Sequence, residues 1–291
     1  MPGSTRRLLN SSRIAGRAAA AAAESPDPEL TGGTPGAAAF FDIDNTVMRG
    51  SSMFQMARGA SSHGLITGRD IAGFAKAQLR FSLFGGEDLE DMAKAVEAGL
   101  SFAQGRTAAE MTELAEDVYD DLMTTKLWPG TLDLAQRHMD AGEPVWLVSA
   151  TPVELARVIA ERLGLTGALG TVSEIENGRY TGKLVGFPLH GVAKSEAVRA
   201  LAIKENLVLS RCYAYSDSSN DLPLLTTVGH PVAINPDHDL KDQARDNGWP
   251  IYNFRRKRNL TRYGIPAAAT ATVAAAGAAA GVVVATRRHS R

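Results

Sequence analysis

Asp42 and Asp44 stand two residues apart directly after the apolar pair Phe40 and Phe41, with Ile43 between them and Asn45 and Thr46 behind. A continuing strand would point both carboxylates the same way, toward the crevice where open parallel sheets bind ligands. Two adjacent anions repel unless a cation lies between them or one keeps a proton. A hard cation such as magnesium, which takes carboxylate oxygens, would engage one acid and leave the other free for proton transfer. An acid-rich turn closing an ordinary strand fits the same residues.

Three later segments repeat the pattern of a strand ending in polar groups. Pro144 to Val148 reads as a buried strand that delivers Ser149, Ala150 and Thr151. Thr151 as N-cap, Pro152 at the first helical position and Glu154 closing a capping box predict a helix start there, the kind of terminus that binds phosphate. Gly191 to Lys194 opens another helix and sets one ammonium near its start, where it could meet a phosphoryl oxygen. Tyr213 to Tyr215 leads into Ser216, Asp217, Ser218, Ser219, Asn220 and Asp221, with a short helix from Leu222 to Leu225 behind.

Acidic pair, hydroxyl, lysine, acidic pair, each after an expected strand: this order resembles the haloacid dehalogenase superfamily of phosphotransferases over roughly residues 37–254. The long helical insertion between the first two motifs is most similar to its subfamily IB, the phosphoserine-phosphatase-like branch. The resemblance implies Asp42 as nucleophile and Asp44 as general acid and base. It implies Ser149, Ala150, Lys194 and Asn220 around the phosphate. Mg²⁺ would be held by Asp42, Asp217 and the main-chain oxygen of Asp44, with Asp221 behind them. The family's phosphoserine enzymes place an acid shortly after the first motif to hold the substrate ammonium; the aligned position here is Ser51. A small metabolite or lipid-like phosphomonoester other than phosphoserine is therefore expected. The alternative is a catalytically idle protein that keeps the site and acts through its termini.

Equatorial phosphoryl oxygens repel an attacking carboxylate, so cations and donors must absorb their charge; Mg²⁺, Lys194 and a helix start could supply them. The elements that position these groups alternate strand and helix, which predicts an α/β fold with a doubly wound parallel sheet. Residues 36–50 and 128–254 form its core, and 51–127 a small helical cap. Within the cap, Thr67 with Asp70 opens one helix ending at Gly85 and Gly86, Glu87 to Gln104 reads as a second, and Thr107 with Glu110 opens a third. Ser51, Lys76, Arg80 and Phe81 are candidate substrate contacts; Phe81 equally suits the cap's own core and the two cations solvent. A hairpin turning at Asn177 and Gly178, a strand at Val232 to Ile234 and an edge strand at Ile251 and Tyr252 complete the reading.

The termini differ in character. Residues 1–35 carry four arginines and an alanine run with few branched or aromatic side chains, which predicts a disordered arm. The single cysteine, Cys212, excludes an internal disulfide and suits a buried position in a reducing cytosol. Residues 265–285 contain no charge and, as a helix, would be about 32 Å long, enough to span a bilayer core. The basic linker 255–264 outweighs the basic tail 286–291, which would keep the catalytic side cytoplasmic. An alanine-rich segment of this kind can also remain a solvated helix. Gly277 and Gly281 have the spacing of a helix-dimer face, a hint of self-association. The net charge of −1 and the lack of interleaved aromatics argue against nucleic acid.

Overall fold

The computed structural model describes residues 2–24, 33–67, 97 and 101–255. The chain divides into two compact units, Met1–Phe254 and Arg255–Arg291, and every element named below belongs to the first. Its centre is a six-stranded sheet. The strands are β1 (Ala39–Phe41), β2 (Val145–Pro152), β3 (Gly167–Thr171), β6 (Tyr213–Ser216), β7 (His230–Ile234) and β8 (Ile251–Tyr252), in the order β3-β2-β1-β6-β7-β8. All five pairings are parallel. The order reverses beside β1, the switch point at which open α/β sheets bind ligands.

Side-chain alternation explains why helices cover both faces. Phe40, Trp146, Val148, Leu169 and Ala214 pack on one side; Phe41, Val145, Leu147 and Tyr215 pack on the other. The first set is covered by α1 (Pro2–Ala22), α6 (Val192–Lys204), α7 (Leu222–Leu225) and α8 (His238–Asp246). The second is covered by α2 (Ser52–Ser62), α3 (Ala108–Val118), α4 (Pro129–Asp140) and α5 (Val153–Arg162). Strands buried on both faces read as continuous apolar runs, as Ala39–Phe41 and Val145–Val148 do.

The hairpin forms from β4 (Ser173–Glu176) and β5 (Arg179–Leu184), separate from the main sheet. Asn177 and Gly178 both take positive φ, 52° and 76°, as a tight primed turn requires. The capping box at α3 is present: Thr107 accepts from the Glu110 amide and the Glu110 carboxylate accepts from the Thr107 amide. The other two expected cap helices fall almost wholly outside the described residues.

Two expectations need correction. The arm is not disordered over residues 2–22, because that stretch is α1. Its buried face carries only small side chains, Ser12, Ala15, Ala19, Ala20 and, just beyond its end, Ala23. A Cβ on Gly16 would lie 2.7 Å from the Ala197 nitrogen and from the Glu196 Cβ, so the approach to α6 needs glycine there. Small residues remove little apolar area each, but they let two helices pack at very short range, and alanine carries the best intrinsic helix propensity. Lys204 Nζ donates to the Ala23 carbonyl at 2.6 Å and Arg157 to that of Ala22, which satisfies carbonyls at the helix end. The second correction concerns Thr151, which lies within β2 and caps no helix. The N-cap of α5 is Pro152, without a side-chain cap bond, because Ser149 and Ser52 have engaged the Thr151 hydroxyl.

No helix among the described residues is long and apolar enough to cross a membrane. The candidate span 265–285 and nearly all its basic flanks lie outside them. Cys212 is buried and unpaired by disulfide, and burial pushes its thiol up to about 11, which suits an inert core residue.

Candidate active site

The loop after β1 folds tightly enough to turn Asp42 and Asp44 into one site. Asn45 adopts φ of 58°, and its Oδ1 accepts from the Gly50 amide at 3.0 Å. The amides of Val47 and Met48 both return to the Ile43 carbonyl. Asn235, at the end of β7, donates from Nδ2 to the Asn45 carbonyl at 3.1 Å and so ties this loop to the neighbouring strand end.

Lys194 is the electrostatic centre of the site. From the first turn of α6 its Nζ donates to Asp42 Oδ1 at 2.6 Å and to Asp221 Oδ2 at 2.7 Å. Relative exposure is 4% for Lys194, 5% for Asp42 and 2% for Asp221, so these charges meet out of water, where pairing is strong and isolation costly. Ser216 Oγ also donates to Asp221 Oδ2, at 2.7 Å. Burial alone would push the ammonium down; Asp221 and Asp42 more than offset this and raise it. Burial pushes the Asp42 carboxyl up to about 7, with Lys194 opposing and the Asp221 and Asp44 carboxylates adding to the rise. Burial likewise raises Asp44, against hydrogen bonds from Ser52.

Asp44 is held from the cap side of the chain. The Ser52 amide, in the first turn of α2, donates to Asp44 Oδ1 at 2.8 Å. Ser52 Oγ is 2.5 Å from Thr151 Oγ1, and Thr151 Oγ1 is 2.8 Å from Ser149 Oγ. A buried chain of three hydroxyls thus joins the helix that orients Asp44 to the strand end bearing Ser149. Sequence reasoning missed Ser52 altogether, and its partner lies 99 residues away. Ser51 caps α2 by accepting from the Phe54 amide at 3.3 Å.

The remaining expected residues are placed as follows. The Ala150 carbonyl accepts from Thr171 Oγ1 at 2.6 Å, and Thr171 Oγ1 in turn accepts from the Leu189 amide at 3.0 Å, which fixes the strand end beside the loop into α6. Asp217 follows β6, largely buried, and its carbonyl accepts from the Asp237 amide at 2.8 Å. Asp237, also missed, holds the same loop: its carboxylate takes the Ser219 amide at 2.8 Å and the Leu240 amide at 2.7 Å. Asn220 is exposed, with its Nδ2 3.3 Å from Ser218 Oγ. Lys76, Arg80 and Phe81 lie outside the described residues.

Among the described residues no three acidic, histidine or cysteine side chains converge as a ready-made metal cage. The expected set is sparser, two carboxylates and one main-chain oxygen, and Mg²⁺ suits it because that ion keeps several waters. The donors are chemically right. Asp42 and Asp221 already share one ammonium, and the Asp42 carboxyl, raised first by burial and further by the Asp221 and Asp44 carboxylates, is a group whose charged form a divalent cation would favour.

A parallel sheet with this strand order, carrying an aspartate pair, a serine, a lysine and a second aspartate group at its carboxyl edge, defines a Rossmann-like hydrolase. The family model for haloacid dehalogenase-like hydrolases matches residues 39–226, and the chain belongs to that family. It is 50% identical over 274 residues to a Mycobacterium tuberculosis protein named Phosphoserine phosphatase SerB1, covering 94% of this chain and 86% of that one. It is 38% identical over 259 residues to a protein of the same organism named as a probable phosphatase, covering 87% and 89%. A solved Bordetella pertussis structure, described as a protein with unknown function, superimposes with a TM-score of 0.68 at 27% identity, over 76% of this chain and all of that one.

Proposed function

We propose that this phosphatase hydrolyses a small phosphomonoester by way of a phosphorylated Asp42. The observation that carries the reading is the Lys194 bridge between Asp42 and Asp221, with Asp44 fixed alongside by the Ser52 amide. An Asp42 oxygen forms the new bond to phosphorus as the bond to the leaving oxygen breaks. Asp44, whose carboxyl burial raises above the usual carboxylate range, gives that oxygen its proton. In the second half, Asp44 takes a proton from water, the water oxygen attacks phosphorus, and the Asp42–phosphorus bond breaks to release phosphate. Lys194 and Ser149 absorb charge on the equatorial oxygens, and the enclosed position of both strengthens that effect. Mg²⁺ held by Asp42, the Asp44 carbonyl and Asp217 would supply further Lewis-acid stabilisation of the same oxygens.

On the substrate, Ser51 offers no negative charge for a substrate ammonium, and its hydroxyl is engaged in capping α2. This supports a phosphomonoester other than phosphoserine. The name of the Mycobacterium tuberculosis relative favours a second reading, phosphoserine itself. A broad phosphate panel with Mg²⁺, run beside Asp42→Asn, decides both questions. Turnover by wild type and none by Asp42→Asn is expected; full turnover by Asp42→Asn would end the mechanism, and phosphoserine as the best substrate would end the exclusion. The uncharged stretch 265–285 with its heavier basic flank on the catalytic side supports a membrane anchor that keeps the catalytic unit cytoplasmic. Recovery of the full chain wholly in the soluble fraction after lysis would remove that part.

A further inference from the structure

The capping box expected of Thr151 and Glu154 is absent, and each of its two members has a distant partner instead. Thr151 Oγ1 is shared by Ser52 and Ser149. The Glu154 carboxylate, in the first turn of α5, accepts from the Tyr180 hydroxyl at 2.5 Å. Tyr180 comes from β5 of the hairpin and is 3% exposed. The catalytic reading uses neither Tyr180 nor Glu154.

Tyr180 also holds the cap through its main chain. Its amide donates to the Arg106 carbonyl at 2.9 Å, and its carbonyl accepts from the Gly105 amide at 2.8 Å. Arg179 Nη1 adds a bond to the Gly105 carbonyl at 2.7 Å. Arg106 immediately precedes Thr107, the N-cap of α3. The stretch from Thr151 to Glu154 is therefore fastened at one end to the start of α2, through Ser52, and at the other to the start of α3, through Tyr180. Those two helices also pack on each other at very short range: a Cβ on Gly59 of α2 would lie 2.1 Å from Val118 Cγ2 of α3.

We infer that Tyr180 is a positioning residue for the phosphate site: its bond to Glu154 sets the turn that follows Ser149 and, through Thr151, the direction of the Ser149 hydroxyl. The inference rests on the reading of Ser149 as a phosphate ligand. Ser149 Oγ lies 2.8 Å from Thr151 Oγ1 and accepts from the Thr151 amide at 3.2 Å, so Thr151 orients it twice over. Thr151 leads directly into α5, whose N-cap Pro152 makes no side-chain cap bond. With no cap to fix that first turn, the anchor at Glu154 takes over the task. Ligand sites need placement to about 0.5 Å, and residues that never touch the ligand supply much of it.

The test uses the full chain with Mg²⁺ and follows aryl-phosphate turnover and its inhibition by inorganic phosphate. Tyr180→Phe removes the hydroxyl and keeps the main-chain bonds to Gly105 and Arg106. Glu154→Leu removes the acceptor from the other side, Glu154→Gln keeps an amide oxygen in its place, and Arg179→Gln breaks a hairpin contact that does not involve the turn. The inhibition constant of phosphate should rise about fivefold or more in Tyr180→Phe and in Glu154→Leu, with kcat falling alongside, and stay within about twofold of wild type in Glu154→Gln and Arg179→Gln. The double variant Tyr180→Phe/Glu154→Leu should lose no more than the worse single, since both remove the same bond. A role confined to folding would lower the urea midpoint of Tyr180→Phe and leave phosphate inhibition at the wild-type value, and that result overturns the inference. So does equal weakening in Arg179→Gln, or a Glu154→Gln variant no better than Glu154→Leu. Ser149→Ala, run beside them, tells two failures apart. Unchanged phosphate inhibition in Ser149→Ala ends the ligand reading and this inference with it, whereas weakened inhibition there with none in Tyr180→Phe ends this inference alone.

Discussion

Replacing Lys194 by methionine removes the ammonium that Asp42 and Asp221 share while keeping a side chain of similar reach. Taking one partner from a buried ion pair costs about 3–5 kcal/mol, because the charge left behind keeps its desolvation penalty. Here two carboxylates lose the same partner, at 2.6 and 2.7 Å, and all three groups are 5% exposed or less. The upper half of that range, about 4–5 kcal/mol, is expected in EDTA above neutral pH. The pH dependence gives the sharper check. The wild-type Asp42 carboxyl is raised from 3.8 to about 7, so between those values the folded chain binds a proton that the unfolded chain has released. Stability therefore falls as pH rises through that window. Without Lys194 the folded carboxyl holds its proton to still higher pH, so variant and wild type separate further as pH climbs through about 7. Urea unfolding followed by tryptophan fluorescence at about pH 6 and about pH 8.5 measures both gaps. A loss under about 1 kcal/mol, or the same loss at both pH values, would show that Lys194 fills space and does not neutralise charge. Added Mg²⁺ should restore part of the lost stability in the variant.

Three other perturbations address separate parts of the argument. Thr151→Val leaves the Ser52 and Ser149 hydroxyls without their shared partner; an unsatisfied buried group costs about 1–3 kcal/mol. Aryl-phosphate kcat should drop about tenfold or more, with Thr151→Ser near wild type, and equal rates in both variants would dismiss the hydroxyl chain. Gly16→Leu drives a side chain into Ala197 and Glu196, and overpacking of this sort costs about 1–3 kcal/mol. Trypsin should then cut at Arg13 and Arg17 faster than in wild type, whereas unchanged cleavage would mean that α1 does not depend on this contact. Ser51→Glu should improve kcat/KM for phosphoserine relative to other phosphomonoesters; no change in the ratio would detach Ser51 from substrate choice.

Much of the candidate site was legible because Asp42, Asp44, Ser149 and Asp217 come late in, or just after, apolar runs that read as buried strands, and strand ends converge in a parallel sheet. Lys194 instead enters from the first turn of α6. Local grammar succeeded where the partners are local, as with Thr107 and Glu110 or Asn177 and Gly178. It misled at Thr151, where a distant serine outcompeted the backbone amides for the hydroxyl. It failed for α1 because a face of alanine, serine and glycine has almost no hydrophobic contrast, and its stability comes from how closely α6 can approach. Ser52 and Asp237 left only the ordinary signals of a helix start, and nothing in their neighbours' identity announces the loops they hold.

The place of β1 in the sheet has a consequence for synthesis. It pairs with Val145–Leu147 on one side and Tyr213–Tyr215 on the other, so this interior strand is made first and waits for both of its neighbours. At about 5–20 residues per second, about 170 further residues take roughly 10–35 s to emerge. Throughout that interval Phe40 and Phe41 lack at least one of their two flanking strands, and a nascent chain stalled before residue 213 should be a strong chaperone client.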